Sequence, residues 1–149
     1  EPRDTIRSLA RAKRVPFAPI AKYEVLDAAE DVLKLNLAQQ KVCLAQSVED
    51  VDRAFANAVP AAEAWAVGDI RTVKAHYGDS RLLDCVTAAV HAVADINERN
   101  VADYTAAILA ALDKPGKAVA VIDIGPLLRR GGVLERLKMA QVAIEGPAE

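Results

Sequence analysis

The run Ala118 to Ile124 (AVAVIDI) constrains this chain more than any other segment, because six of its seven residues are apolar. Such a short run, set between Pro115-Gly116 and Gly125-Pro126, reads as a β-strand covered on both faces. A covered strand needs neighbours. Val142 to Glu145 reads as a second strand, and Gly132 to Met139 between them as a short helix. Strand, helix, strand at this spacing predicts a compact βαβ unit with a right-handed crossover. Val15-Pro16-Phe17-Ala18-Pro19-Ile20 cannot be helical, since its prolines remove donors and restrict the residues before them. It reads as an extended segment, at best an edge strand. The fold class expected is therefore α/β, predominantly helical: a helical body packed on a small parallel three-strand sheet that ends in the βαβ unit.

The helical body is read from periodicity. Asp4 to Arg14 is a short basic helix. In Glu24 to Leu35, Val25, Leu26, Ala29, Val32 and Leu33 recur at helical spacing. Asn36 is placed to cap the next helix, which carries Leu37, Leu44, Val48, Val51 and Phe55 on one stripe. Pro60 is expected to start a fresh turn. Gly68-Asp69 and Gly78-Asp79 break and recap the chain. From Ser80, one face runs through Leu82, Val86, Ala89, Val93 and Ile96 and continues to Leu112, until Asp113-Lys114-Pro115-Gly116 stops it. Aromatic residues are only 4% of the chain, which suits closely packed helices better than a β-sandwich. The only indole, Trp65, is expected to be buried in the Ala-rich turn Ala61 to Val67.

Charge excludes some function classes. Lys and Arg number 19 against 21 Asp and Glu, so the net charge is −2 and no surplus of cations exists to displace counterions from a nucleic acid. The longest stretch without a formal charge, Cys85 to Ala94, is ten residues, where a bilayer span needs about 20. No leader of the secretory type opens the chain, because Arg3, Asp4 and Arg7 interrupt any apolar run. With 149 residues, one domain with a real core is expected over 1–149.

Few residues suggest chemistry. His76 and His91 are the only imidazoles and form no HxxxH or HExxH pair, so both read as structural helix residues. Cys43 and Cys85 lie on two predicted helices without a local base, which leaves two buried thiols or a disulfide between them. Arg129-Arg130-Gly131-Gly132 precedes a helix, where guanidiniums and free backbone donors could hold a small anion; a plain connecting loop is the simpler reading. Asp123 sits at the C-terminal end of the best strand, where open α/β sheets present functional groups. It has no second carboxylate nearby in sequence to make a catalytic pair.

Two stretches together resemble a known family. Ile96-Asn97-Glu98-Arg99-Asn100, followed by Ile108 and Leu112, and the run from Lys117 to Gly146 resemble the C-terminal half of the TraB/GumN family, related to the Tiki proteins. Pro16 to Ala21 resembles that family's middle strand. The resemblance implies a metal-dependent peptidase or related hydrolase in members that carry a Glu and two Gly-x-x-His motifs. Glu98, Arg99 and Asn100 match the family's ERN-like helix. At the second Gly-x-x-His this chain has Asp123-Ile124-Gly125-Pro126, with Pro126 in the His position, and Ala21 corresponds to the middle strand's Glu. Neither side chain can ligate a metal.

The resemblance therefore implies a fold and withdraws the activity. The expectation is a TraB/GumN-like domain, or the C-terminal half of a larger one, without intact metal-binding motifs. It has no catalytic residue, metal or cofactor of its own and serves as a non-catalytic binding or structural protein. The alternative is a metal-dependent hydrolase whose remaining residues come from an N-terminal segment or a second chain. A small-anion binder using Arg129 and Arg130 is a third reading. A sheet edge left open implies a homodimer or association with an N-terminal segment. GumN-like proteins are commonly exported, so the resemblance also implies a periplasmic or extracytoplasmic setting, which would permit a Cys43–Cys85 bridge.

Overall fold

In the computed structural model, which describes residues 2–145, the chain forms eight helices: α1 (Pro2–Ala12), α2 (Leu26–Leu33), α3 (Leu37–Ala66), α4 (Ile70–His76), α5 (Arg81–Ala89), α6 (His91–Leu112), α7 (Ile124–Leu128) and α8 (Val133–Met139). Among the described residues there is no β-strand. The expected α/β class, its three-strand sheet and its βαβ unit are thus overturned, and the fold is all-helical. Residues 118–123, 15–20 and 142–145 are neither helix nor strand and make no backbone ladder to any neighbour among the described residues. An apolar alternating run fits a strand only where another strand offers donors and acceptors. Here Ile122 and Val142 use their side chains instead and pack against the core, while Val119 is 88% exposed. Gly125-Pro126, expected to end a strand, lies within α7. Pro126 is tolerated there because the first N–H groups of a helix have no internal partner.

Side-chain caps start three of the helices, α3, α4 and α5. Asn36 caps α3 in a reciprocal box: its side chain accepts from the Gln39 N–H at 3.0 Å, and Gln39 Oε1 accepts from the Asn36 N–H at 3.2 Å. Asp69 accepts from the Thr72 N–H at 2.9 Å to start α4, and Ser80 accepts from the Leu83 N–H at 3.1 Å to start α5. Gly68 ends α3 with φ 78°, a left-handed turn that costs a glycine little. Two expectations fail. Pro60 starts no new turn; α3 runs through it for 30 residues. The single long helix from Ser80 breaks instead at Val90, whose extended backbone (φ −128°, ψ 102°) separates α5 from α6.

The core is split. Val101, Val133 and Leu137 join α6 to α8, with Val101 and Val133 wholly buried. Ala64, Val73 and Leu128 join α3, α4 and α7. Leu127 packs against both clusters, so the short α7 is the hinge of the core. Trp65 does not take part: it is 56% exposed, contrary to expectation, because the inward position on this turn of α3 belongs to Ala64.

Helix α3 packs in an unusual sense. Its inward face carries Cys43, Gln46, Asp50, Arg53, Asn57 and Ala64, and the Gln46 Oε1 atom is buried with no hydrogen-bond partner among the described residues. The predicted apolar stripe points the other way. Leu37, Leu44, Val48, Val51 and Phe55 are all at least half exposed, Phe55 by 80%. The packing face is fastened by polar links and by a disulfide between Cys43 and the α5 residue Cys85, whose Cα atoms are 5.5 Å apart.

Candidate functional site

Helix α6 carries the ERN segment, and its periodicity separates the three residues. Positions four apart share a face, and adjacent positions lie about 100° apart. Ala94, Asn97 and Glu98 look toward the α7–α8 turn, and Arg99 and Asp103 toward Tyr23 in the segment before α2.

On the first side, Asn97 and Glu98 hold the turn through two arginines. Arg129 donates from Nη1 to the Asn97 side-chain oxygen and from Nη2 to the Asn97 carbonyl at 2.8 Å. Arg136 donates from Nη2 to Glu98 Oε1 at 2.7 Å and from Nε to the Gly131 carbonyl at 3.0 Å. Burial pushes Arg129 below the ordinary guanidinium value; Glu98 and Asp79 oppose that push and Arg136 adds to it. A guanidinium keeps its charge under any such shift.

The turn itself is backbone chemistry. Gly131 has φ 68°, and a Cβ on Gly132 would stand 2.6 Å from the Pro126 carbonyl and 2.7 Å from that of Arg129. Only glycine lets the chain close this tightly. Glu135 accepts from the Gly131 N–H at 2.8 Å, and the Arg129 carbonyl accepts from the Gly132 N–H at 2.9 Å. Of the four residues read as a candidate anion site, Arg129 is thus committed to Asn97, and the Gly131 and Gly132 amides are used within the chain. Arg130 is exposed and has no partner among the described residues.

These groups line a cavity of about 610 Å³, open to solvent, between α5, α6 and the α7–α8 turn. Arg129, Arg130 and Arg136 contribute cations to it, and Asp79, Asp84 and Glu98 carboxylates. Pro126 lines this cavity too. Ala21 does not: it lines a separate cavity with Tyr23, Phe17, Tyr104 and Val121. The two positions that the resemblance pairs for a metal therefore do not converge.

On the second side of α6, the Arg99 guanidinium lies over the Tyr23 ring, 6.0 Å from its centroid. Tyr23 donates to Asp103 Oδ2 at 2.6 Å. Burial, followed by the hydrogen bond to Asp103 and its charge, pushes the Tyr23 phenol up to about 12. The pair anchors the extended N-terminal segment to α6. Asn100 is half-buried on the same helix.

The remaining candidates stand apart. His76, the last residue of α4, has Nδ1 2.7 Å from Asn57 Oδ1. His91 is exposed at the first turn of α6, and Asp123 is exposed at the start of α7. No three His, Cys, Asp or Glu side chains converge as a metal site among the described residues. The donor set does not fit the metal that the resemblance implies.

Sequence reasoning missed Asn97 and Arg136 as partners of the turn. It also missed Asp50, which gathers four donors: the Arg53 guanidinium (2.6 Å), the Ser80 hydroxyl (2.8 Å) and the N–H groups of Leu82 (3.0 Å) and Arg81 (3.1 Å). Burial raises the Asp50 pKa, but these hydrogen bonds and the Arg53 charge outweigh it and leave the group below its ordinary value. Nothing local in the sequence marks Asp50, whose partners on α5 lie some 30 residues away.

Against this geometry, comparison with known families is decisive. The model of the TraB/PrgY/gumN family matches residues 4–145. The chain belongs to this family. The match covers both the ERN helix and the α7–α8 turn, so the TraB/PrgY/gumN resemblance holds for nearly the whole chain. No curated protein and no solved structure matches it.

Proposed function

We propose that this chain is a non-catalytic member of the TraB/PrgY/gumN family that binds a small anionic molecule in the cavity beside the ERN helix. The observation that carries the reading is Arg130. It is the one guanidinium of the cavity without a partner among the described residues, beside two that are already fixed by Asn97 and Glu98. Fixed guanidiniums cost little further ordering when a carboxylate or phosphate arrives, and Arg130 supplies an open fork. Glu98, the family-motif carboxylate, is engaged with Arg136, and Pro126 and Ala21 offer no ligand atoms. This supports binding over metal-assisted hydrolysis.

Isothermal titration of the full chain with inorganic phosphate and with citrate tests the reading. Saturable binding is expected, weakened about tenfold by Arg130→Ala, which matches the 1.5 kcal/mol or so of a charge-assisted hydrogen bond. No binding of either anion, or equal binding by the variant, would overturn the ligand. Stoichiometric uptake of zinc or manganese, abolished by Glu98→Gln, would overturn the non-catalytic reading.

A further inference from the structure

We infer that the outer face of α3 pairs with the same face of a second copy of this chain, in an antiparallel arrangement about a two-fold axis near residue 46. The stripe comprises Leu37, Leu44, Val48, Val51, Phe55 and Val59, all at least half exposed. Advancing 100° per residue, these six stay within about 40° of one line, over about 33 Å of helix. They leave roughly 600 Å² of surface in water, where a stable interface needs about 800 Å² per partner, so the flanking side chains need add only a quarter.

The stripe is also self-complementary. Antiparallel pairing about residue 46 sets Phe55 level with Leu37 of the second copy and Val48 level with its Leu44. Large and small apolar groups then interdigitate. Lys41 and Asp52 lie on the same side of the stripe. In an antiparallel pair, same-side positions face each other, so each Lys41 meets an Asp52 across the interface. Opposite charges at both ends of one contact favour a second copy over an arbitrary apolar partner. A membrane surface fits less well. A helix lying on anionic lipid carries Lys and Arg on its polar face, whereas α3 has Lys41 and Arg53 against Glu49, Asp50, Asp52 and Glu63.

Light scattering and sedimentation equilibrium of the full chain test the pairing. The expected mass is 31.8 kDa, twice 15.9 kDa. Val48→Glu and Phe55→Glu alter exposed positions, so helical circular dichroism should persist while the mass falls to that of one chain. Lys41→Asp or Asp52→Lys alone should weaken association at least fivefold, and the double reversal should restore it. A monomeric parent protein would overturn the pairing, whether the stripe is left bare or is covered by a segment upstream in the gene product. So would a dimer indifferent to Val48→Glu, open-ended aggregation, or charge reversals that do not compensate.

Discussion

The two ends of this molecule are built on opposite principles. Where α6 meets α7 and α8, apolar groups are inside: Val101 and Val133 are wholly buried, Leu137 nearly so, and the polar Asn97 and Glu98 reach outward to Arg129 and Arg136 of the next turn. Along α3 the order is reversed. Cys43, Asp50, Arg53 and Asn57 face inward, and Leu44, Val48 and Phe55 face solvent. The first region is held by burial, which is non-directional and roughly proportional to area. Up to its last turns, where Ala64 joins the core, the second is held by discrete links: one disulfide, the Asp50 cluster and the helix caps. Burial degrades gradually when one side chain is trimmed, whereas a linked region fails when a link is cut.

Cutting the covalent link should have the largest effect. The disulfide closes a loop with a separation of 42 residues, and the chain-entropy model gives about 4 kcal/mol for that length. Denaturant unfolding with and without reductant should show a loss of that order, and Cys43→Ala with Cys85→Ala should reproduce it. An equal stability of both forms would break the comparison. Leu137→Ala strikes the other region and should cost about 3 kcal/mol through a cavity against Val101 and Val133. That loss should be the same in oxidised and reduced protein, since the Leu137 cluster and the disulfide share no residue.

Asp50→Ala should cost about 2 kcal/mol, because the first amides of α5 lose their acceptor and the Arg53 guanidinium its carboxylate, keeping only the Asp79 carbonyl. The same group sets an acid limit. Its folded pKa lies below the unfolded value, so its contribution is complete above that value and is lost as pH falls through the folded one. Acid titration of stability should therefore show a decline below about pH 4 that is shallower in Asp50→Ala. The smallest effect is expected at Trp65→Ala, within about 0.5 kcal/mol, since the indole is half in water. Thermal melts settle it, and a loss above 2 kcal/mol would mean that α3 buries more than its inward polar face.

The sequence was legible where local chemistry decides. Asn36, Gly68-Asp69 and Asp113-Lys114-Pro115-Gly116 mark helix ends through bonds to their own neighbours, and the structure uses them so; Gly78-Asp79 marks the next break one residue early, since Ser80 is the cap of α5. Reading failed where a distant partner decides. AVAVIDI has the pattern of a covered strand, but a strand is a property of two chains, and no second one lies beside it among residues 2–145. Periodicity shows the α3 stripe but leaves its direction open, because it defines a face without saying what lies against it. Trp65 was placed inside on size alone, but Ala64 has the inward angle. At the candidate site, ERN was visible as a motif. That Glu98 and its neighbour Asn97 brace the next turn was not, because their partners Arg136 and Arg129 lie 38 and 32 residues away.

Native-state hydrogen exchange, read amide by amide in oxidised and reduced protein, bears most directly on the division between a region held by burial and one held by links. On reduction, the amides of α3 and α5 should lose most of their protection, while those of α6 and α8 around Val101 and Leu137 keep theirs. A uniform loss across all helices, or unchanged protection in α3 and α5, would contradict it.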